Sequence, residues 1–187
     1  MAWLRGPAHP LIGGRGTEVH LTDQAKHEMS LLVEGESVVT IKAALGVLER
    51  DHHRHMTAEP ASERELDLLE ETLGRRLPDD FRALLARLGG GILYERHEVF
   101  GARRLMVHDI ELVPDIASFR RDFVKAGGGE LARDLVPFHR ADGIVHLFDL
   151  RPSGGPAVIS LDGTRSYPDL ARFLEEVVLP TGGDAGS

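Results

Sequence analysis

Apolar positions between residues 62 and 88 recur every three or four residues. Leu66, Leu69 and Leu73 line one face, and Phe81, Leu84, Leu85 and Leu88 line a second. Both patterns predict amphipathic helices. Ser62-Glu63-Arg64-Glu65 opens the first as a capping box, Ser62 serving the backbone of Glu65 and Glu65 reaching back. Gly74 stops it. Pro78 then fixes its own φ and forces Leu77 out of the helical region, so Leu77 turns inward as an extended residue and Pro78 starts the next helix. Gly89, Gly90 and Gly91 end that helix, because the position after a helix favours a left-handed residue. The stretch LGRRLPDDFRALLARLGGG is thereby a helix hairpin with two apolar faces.

On the amino-terminal side, residues 1–21 are punctuated by Gly and Pro and hold the single Trp, Trp3. Thr22 caps a helix whose face is Ala25, Met29, Leu32 and Val33, with Gly35 as its stop. Val38, Ile41, Leu45 and Leu48 mark a further helix, although its start, SVVTI, is β-branched enough to suit a strand. The polar run ERDHHRHM (49–56) leads into a linker. On the carboxyl-terminal side the period shortens. ILY (92–94) and EVF (98–100) flank a charged turn, and RLMVH (104–108) adds a short run. A helix near 115–126 carries Ile116, Phe119 and Phe123 and stops at Gly127. LVPF, GIVHLFDL and PAVISL are three strands, and both faces of the second are largely apolar, as in a strand covered on two sides. Leu170, Phe173, Leu174 and Val177 define a last helix at 168–178, with Pro168 near its start and Ser166 as its cap. The order predicts an α+β fold, an antiparallel meandering sheet flanked by helices. The expected divisions are an extension of loop and one or two helices over 1–56, the α+β domain over 57–180, and a disordered tail over 181–187.

Composition narrows the function classes. With 42% apolar and 28% charged residues the chain can pack a core. It has no cysteine, which removes disulfides, thiol nucleophiles and thiolate zinc sites and agrees with a reducing cytoplasm, the expected location. No apolar run is long enough to span a bilayer, and the first residues lack the apolar core of a signal peptide. A net charge of −8 disfavours a phosphate backbone as partner and suits a basic protein.

The order of capping-box helix, LPDDF, amphipathic helix, glycine stop, hairpins, LVPF, a strand ending FDL and a terminal YPDLARFLEEV resembles the SUKH superfamily. These are the Smi/Knr-like domains of fungal cell-wall regulators and bacterial immunity proteins. The resemblance covers roughly residues 60–180, a usual domain length. Where the family has Asn-Gly-Gly after the second helix, this chain has Gly89-Gly90-Gly91, and Asn and Gly both tolerate the left-handed conformation. The matching residues Leu77, Pro78, Phe81, Gly89, Gly90, Pro137, Phe138, Phe173 and Leu174 are fold-defining and carry no catalytic role. The resemblance implies a non-catalytic protein-binding domain, a monomer or weak homodimer. Its expected role is as an immunity protein capping a polymorphic toxin, with a regulatory or scaffold module as the alternative.

Chemical readings are fewer. Asp51-His52-His53-Arg54-His55 sets His52 and His55 three apart, on one face if the helix reaches them, and imidazole is the commonest metal ligand. A zinc site needs three or four protein ligands, and no HExxH supplies the rest, so a solvated helix end is the expectation and a His-liganded hydrolase the distant rival. No metal or cofactor is expected. The glycine runs lack the Lys-Ser/Thr of a phosphate loop. Ser153 and Ser160 lack a G-x-S-x-G elbow. Asp149 and Asp162 at strand ends read as turn formers. His139 and His146 read as ordinary half-buried strand histidines. A binding surface is expected on loops and an exposed hairpin face: Tyr94, Glu95, Arg96 and Glu98, with Arg103, Arg104, Arg140 and Asp142.

Overall fold

The computed structural model describes residues 40–152 and 157–179. The expected helix capped by Thr22, as well as Trp3, Ser153 and the tail at 181–187, lie outside the described residues.

Thr40 opens the first described helix, α1 (Ile41–Arg50), its hydroxyl accepting from the Ala43 N–H at 3.3 Å. This segment falls on the amino-terminal side of the expected division at 56/57, yet Ala44, Leu45 and Leu48 are buried in the main core. A 3-10 turn (His52–Arg54) follows, and then β1 (His55–Thr57), where the polar run was expected to pass into a linker. Three polar or flexible residues gave no strand signal; β1 exists because β2 is beside it to pair with.

The helix hairpin forms as its sequence predicts. Helix α2 (Glu63–Leu73) starts with Glu65 accepting from the Ser62 N–H at 3.0 Å and from the Ser62 hydroxyl at 2.7 Å, and ends at Gly74 with φ 64°. Leu77 is buried and donates its N–H to Glu70 Oε1 at 2.8 Å. Pro78 is the N-cap of α3 (Asp79–Leu88), whose Phe81, Leu84, Leu85 and Leu88 are all buried. Arg82 ties the two helices together, reaching Glu63, Asp67 and Glu70 at 2.5, 3.1 and 3.0 Å. Its side chain is only 17% exposed, so this network is worth more than an open surface pair.

The glycine triplet does more than stop α3. A Cβ on Gly89 would lie 2.1 Å from the Glu59 carbonyl oxygen, and one on Gly91 would lie 2.3 Å from that of Met56. Gly91 also has φ 138°. Only glycine lets the end of α3 press against the chain leaving β1.

β2 (Gly91–Leu93), β3 (His97–Val99), β6 (Leu135–Ala141), β7 (Ile144–Asp149), β8 (Val158–Ser160) and β9 (Ser166–Tyr167) join β1 in one antiparallel sheet, ordered β1-β2-β3-β6-β7-β8-β9. β4 (Leu105–Val107) and β5 (Ile110–Val113) form a separate hairpin. Asp115 caps α4 (Ile116–Lys125), accepting from the Ser118 N–H at 2.7 Å. The last helix is shorter than the sequence suggests: α5 (Leu170–Phe173) gives way to a π-helical turn (Leu174–Val178), closed by Leu179 N–H to Leu174 carbonyl at 2.8 Å. Its cap is Asp169 and not Ser166. Pro168 holds Tyr167 extended, so Ser166 and Tyr167 stay in β9 and Asp169 is the first residue free to accept, from the Arg172 N–H at 2.8 Å.

One sheet face packs against the helices around an aromatic cluster. Phe138 lies 4.2 Å from Phe148, 5.1 Å from Phe173 and 5.6 Å from Phe81, ring centre to ring centre, and all four rings are fully buried. Four such rings supply roughly 2–3 kcal/mol each of burial free energy. Helix α1 packs on α3 and α5 over the same core.

Candidate functional site

A β-bulge creates the chemically distinctive part of the core. Pro137 pairs with Leu147 and His139 with His146, which leaves Phe138 as the extra residue of β6. Strict alternation would send Phe138 and His139 to opposite faces; the bulge turns both inward, and both rings sit about Phe173, at 5.1 and 5.0 Å. His139 then meets His146 on β7 and His97 on β3. His97 Nδ1 is 3.2 Å from His139 Nε2, and His139 Nδ1 is 3.1 Å from His146 Nδ1. The three rings form a buried chain across three neighbouring strands.

The expectation of ordinary half-buried histidines is therefore corrected: His139 is 0% and His146 2% exposed, and His97 joins them. Each is held below the usual imidazole range, chiefly by desolvation. His139 falls to about 2, with further opposition from His146 and His97; His146 falls to about 4, with Arg165 adding to the effect. His97 moves the same way, from burial and then Arg96. All three are thus neutral at pH 7, and each carries one N–H. If His97 donates to His139, His139 donates to His146 and His146 carries its proton on Nε2; the reverse order leaves His146 Nε2 as an acceptor. In either order the buried His146 Nε2 has no hydrogen-bond partner among the described residues.

Both ends of this chain line one cavity of about 210 Å³. Arg96 and Asp142 from the hairpin turns, Arg165 just before β9 and Tyr167 in it, and Glu176 and Val177 from the π-turn complete its wall. Asp142 and Gly143 form the two-residue turn between β6 and β7, with φ 50° and 78°, as Asp-Gly turns favour. Asp142 pairs with Arg96 at 2.5 Å. Ser160, directly across from His146, is spent elsewhere: its hydroxyl donates to Asp162 at 2.6 Å. Asp162 also accepts from Thr164 N–H and hydroxyl; the Ser160 bond first, and these two after it, hold its carboxyl at about 2 and make it a turn former. Among the described residues no serine–histidine dyad is assembled.

The opposite face of the sheet carries a row formed by cross-strand pairing: Met56, Ile92, Glu98, Arg140, Val145 and, beside it, Leu161. Every member is partly or fully exposed, Met56 at 47%. Glu98 and Arg140 pair at 2.5 Å in its middle. At one end lies a cavity of about 350 Å³ lined by His53, Arg54, His55, Met56, Ile92 and Glu95.

The expected surface residues thus separate into groups. Arg96 and Asp142 wall the histidine cavity, Glu98 and Arg140 lie in the open row, and Glu95 lines the second cavity. Tyr94 folds back, its hydroxyl donating to Asp51 at 2.8 Å, with burial first and Asp51 second raising its pKa. Arg103 is bound to Glu65 and, at 2.8 Å, Glu59; Arg104 holds Glu111 and Asp115 at 2.9 and 3.1 Å. These two arginines staple elements together.

His52 and His55 do not share a helix face, because α1 ends at Arg50. His52 is exposed in the 3-10 turn, while His55 opens β1 and accepts from the Tyr94 N–H at 3.3 Å. Among the described residues no three His, Asp or Glu side chains converge as a metal site. Nor is any helix among them long and apolar enough to cross a membrane.

The histidine chain was out of reach of periodicity. Its members lie at 97, 139 and 146, and the bulge that aligns them is marked in the sequence only by Pro137, which a doubly paired strand admits at a bulge. His146 alternating with Ile144 and Phe148 was the one legible hint. No curated protein matches the chain. The profile of the SMI1 / KNR4 family (SUKH-1) matches residues 60–177, from just before α2 to the π-turn, so the match spans the helix hairpin, the bulged strand and all three histidines. The chain belongs to the SMI1 / KNR4 family (SUKH-1).

Proposed function

We propose that this protein is a non-catalytic binding domain whose partner is another protein, and that the partner is a basic toxin domain which it neutralises by capping. The observation that carries this reading is the half-exposed row Met56, Ile92, Glu98, Arg140, Val145 and Leu161 on the face away from the aromatic core. Apolar side chains interrupted by one charge pair are what a protein interface presents: contact area at the centre and polar groups that fix register. Ser160 is engaged by Asp162, and both ring nitrogens of His139 by the neighbouring histidines. The chain's net charge of −8 favours a basic partner.

Tagged full-length protein used as bait in its own cells, with captured proteins identified by mass spectrometry, tests the reading. The expected capture is a basic protein with nuclease or deaminase character, lost with Ile92→Glu. An Ile92→Glu bait that captures the same protein at the same yield would refute the surface, and absence of any protein partner would refute the function.

A further inference from the structure

We propose that the cavity at the end of the histidine chain is a receptor for a carboxylate, with His146 Nε2–H and the Arg165 guanidinium as its two recognising groups. Three independent features meet there. The first is His146, 2% exposed, with a ring nitrogen that no protein atom satisfies. A buried donor left without a partner costs about 1–3 kcal/mol, which a ligand oxygen recovers. The second is charge. Among the described cations of the wall, Arg96 is neutralised by Asp142, whereas Arg165 is exposed and makes no ion pair. Glu176 on the same wall is taken by Arg172 at 2.6 Å. Arg165 is therefore the described cation of this wall that no carboxylate pairs with. The third is the π-helical turn that carries Glu176 and Val177. Such turns widen a helix locally and concentrate at functional sites.

The hydrogen-bond chain suits this ligand. An acceptor in the cavity selects the order in which His97 donates to His139, His139 to His146, and His146 to the ligand. Every ring nitrogen between the ends is then satisfied. Burial first, and Arg165 second, keep His146 neutral, so the contact is a neutral N–H donor plus one guanidinium, which fits a single carboxylate. The volume, about 210 Å³, has room for an acidic side chain.

The carboxylate could be an Asp or Glu side chain of a bound protein or a free small acid. The proposal rests on the protein-binding reading only for the first source. The test is a titration of the full-length, 15N-labelled chain at pH 7.5, following the imidazole nitrogens. Acetyl-glutamate methylamide, its glutamine analogue and sodium acetate serve as probes. The glutamate derivative is expected to shift His146 Nε2 saturably, and the glutamine analogue to bind at least about tenfold more weakly. Arg165→Gln, at an exposed position without an ion pair, is expected to weaken the glutamate derivative at least about fivefold with an unchanged unfolding midpoint. His146→Phe is expected to abolish the response. Acetate binding as well as the glutamate derivative identifies a free acid; weaker acetate identifies an acidic side chain. No shift, equal shifts from glutamate and glutamine derivatives, or indifference to Arg165→Gln overturns the proposal. Partner capture that survives Arg165→Gln while this titration fails leaves the binding function standing and removes only the carboxylate site.

Discussion

Lowering the pH from 7.5 to 5.0 tests the buried histidine chain most directly. In the unfolded chain each histidine takes up a proton below about pH 6.5. In the folded protein His146 does so only at about 4 and His139 at about 2. Between these values the unfolded state binds more protons, so stability is full above pH 6.5 and declines as the pH falls towards 4. The slope is about 1.4 kcal/mol per pH unit for each histidine, so at pH 5.0 each has cost about 2 kcal/mol and the two together about 4. His97 shifts in the same direction and adds to the loss. Whole domains of this kind hold about 5–15 kcal/mol, so the effect is a large share of the total. Carboxylates held low by their partners, Glu65 at about 2 among them, respond only below about pH 4.5 and do not overlap this window. Urea unfolding followed by far-ultraviolet circular dichroism at pH 7.5, 6.5, 5.5 and 5.0 gives the measurement. His146→Phe keeps a flat ring without a titrating nitrogen and should flatten the profile by about 2 kcal/mol at pH 5.0. A stability at pH 5.0 within about 1 kcal/mol of that at pH 7.5 would show that the histidines are not held neutral, and would refute the account.

Other perturbations have equally definite outcomes. Gly91→Val forces a branched side chain onto the Met56 carbonyl at φ 138°, and should cost about 3 kcal/mol or more, whereas Gly74→Ala, with φ 64° and open space, should cost about 1. Phe138→Ala empties the centre of the aromatic cluster and should cost about 3–5 kcal/mol by chemical denaturation, with a cavity term if the bulge does not collapse. Association with a basic partner should slow as salt rises from about 0.05 to 0.5 M, because the net charge of −8 acts through steering; stopped-flow rates independent of salt would contradict this.

What the sequence determined by itself were the features set by neighbours along the chain. The capping box at Ser62 and Glu65, the inward turn of Leu77 before Pro78, and the stripe Phe81, Leu84, Leu85 and Leu88 all depend on local backbone preference. Each formed where the residues placed it, and together with LVPF and the terminal YPDLARFLEEV they were enough to indicate the family. The tertiary structure alone decided the rest. β1 has no strand-forming composition and exists through its pairing with β2, which also explains why Gly89 and Gly91 must lack a side chain. Helix α1 reads as part of an extension, yet its Ala44, Leu45 and Leu48 complete the core, because burial is settled by what packs opposite and not by position in the chain. His97, His139 and His146 lie up to 49 positions apart (146 − 97 = 49) and become one chain only when three strands align and a bulge turns two consecutive residues to the same face. Local preference acts over a few residues and can be read directly; contact between distant strands is settled by register, and register is a property of the folded sheet.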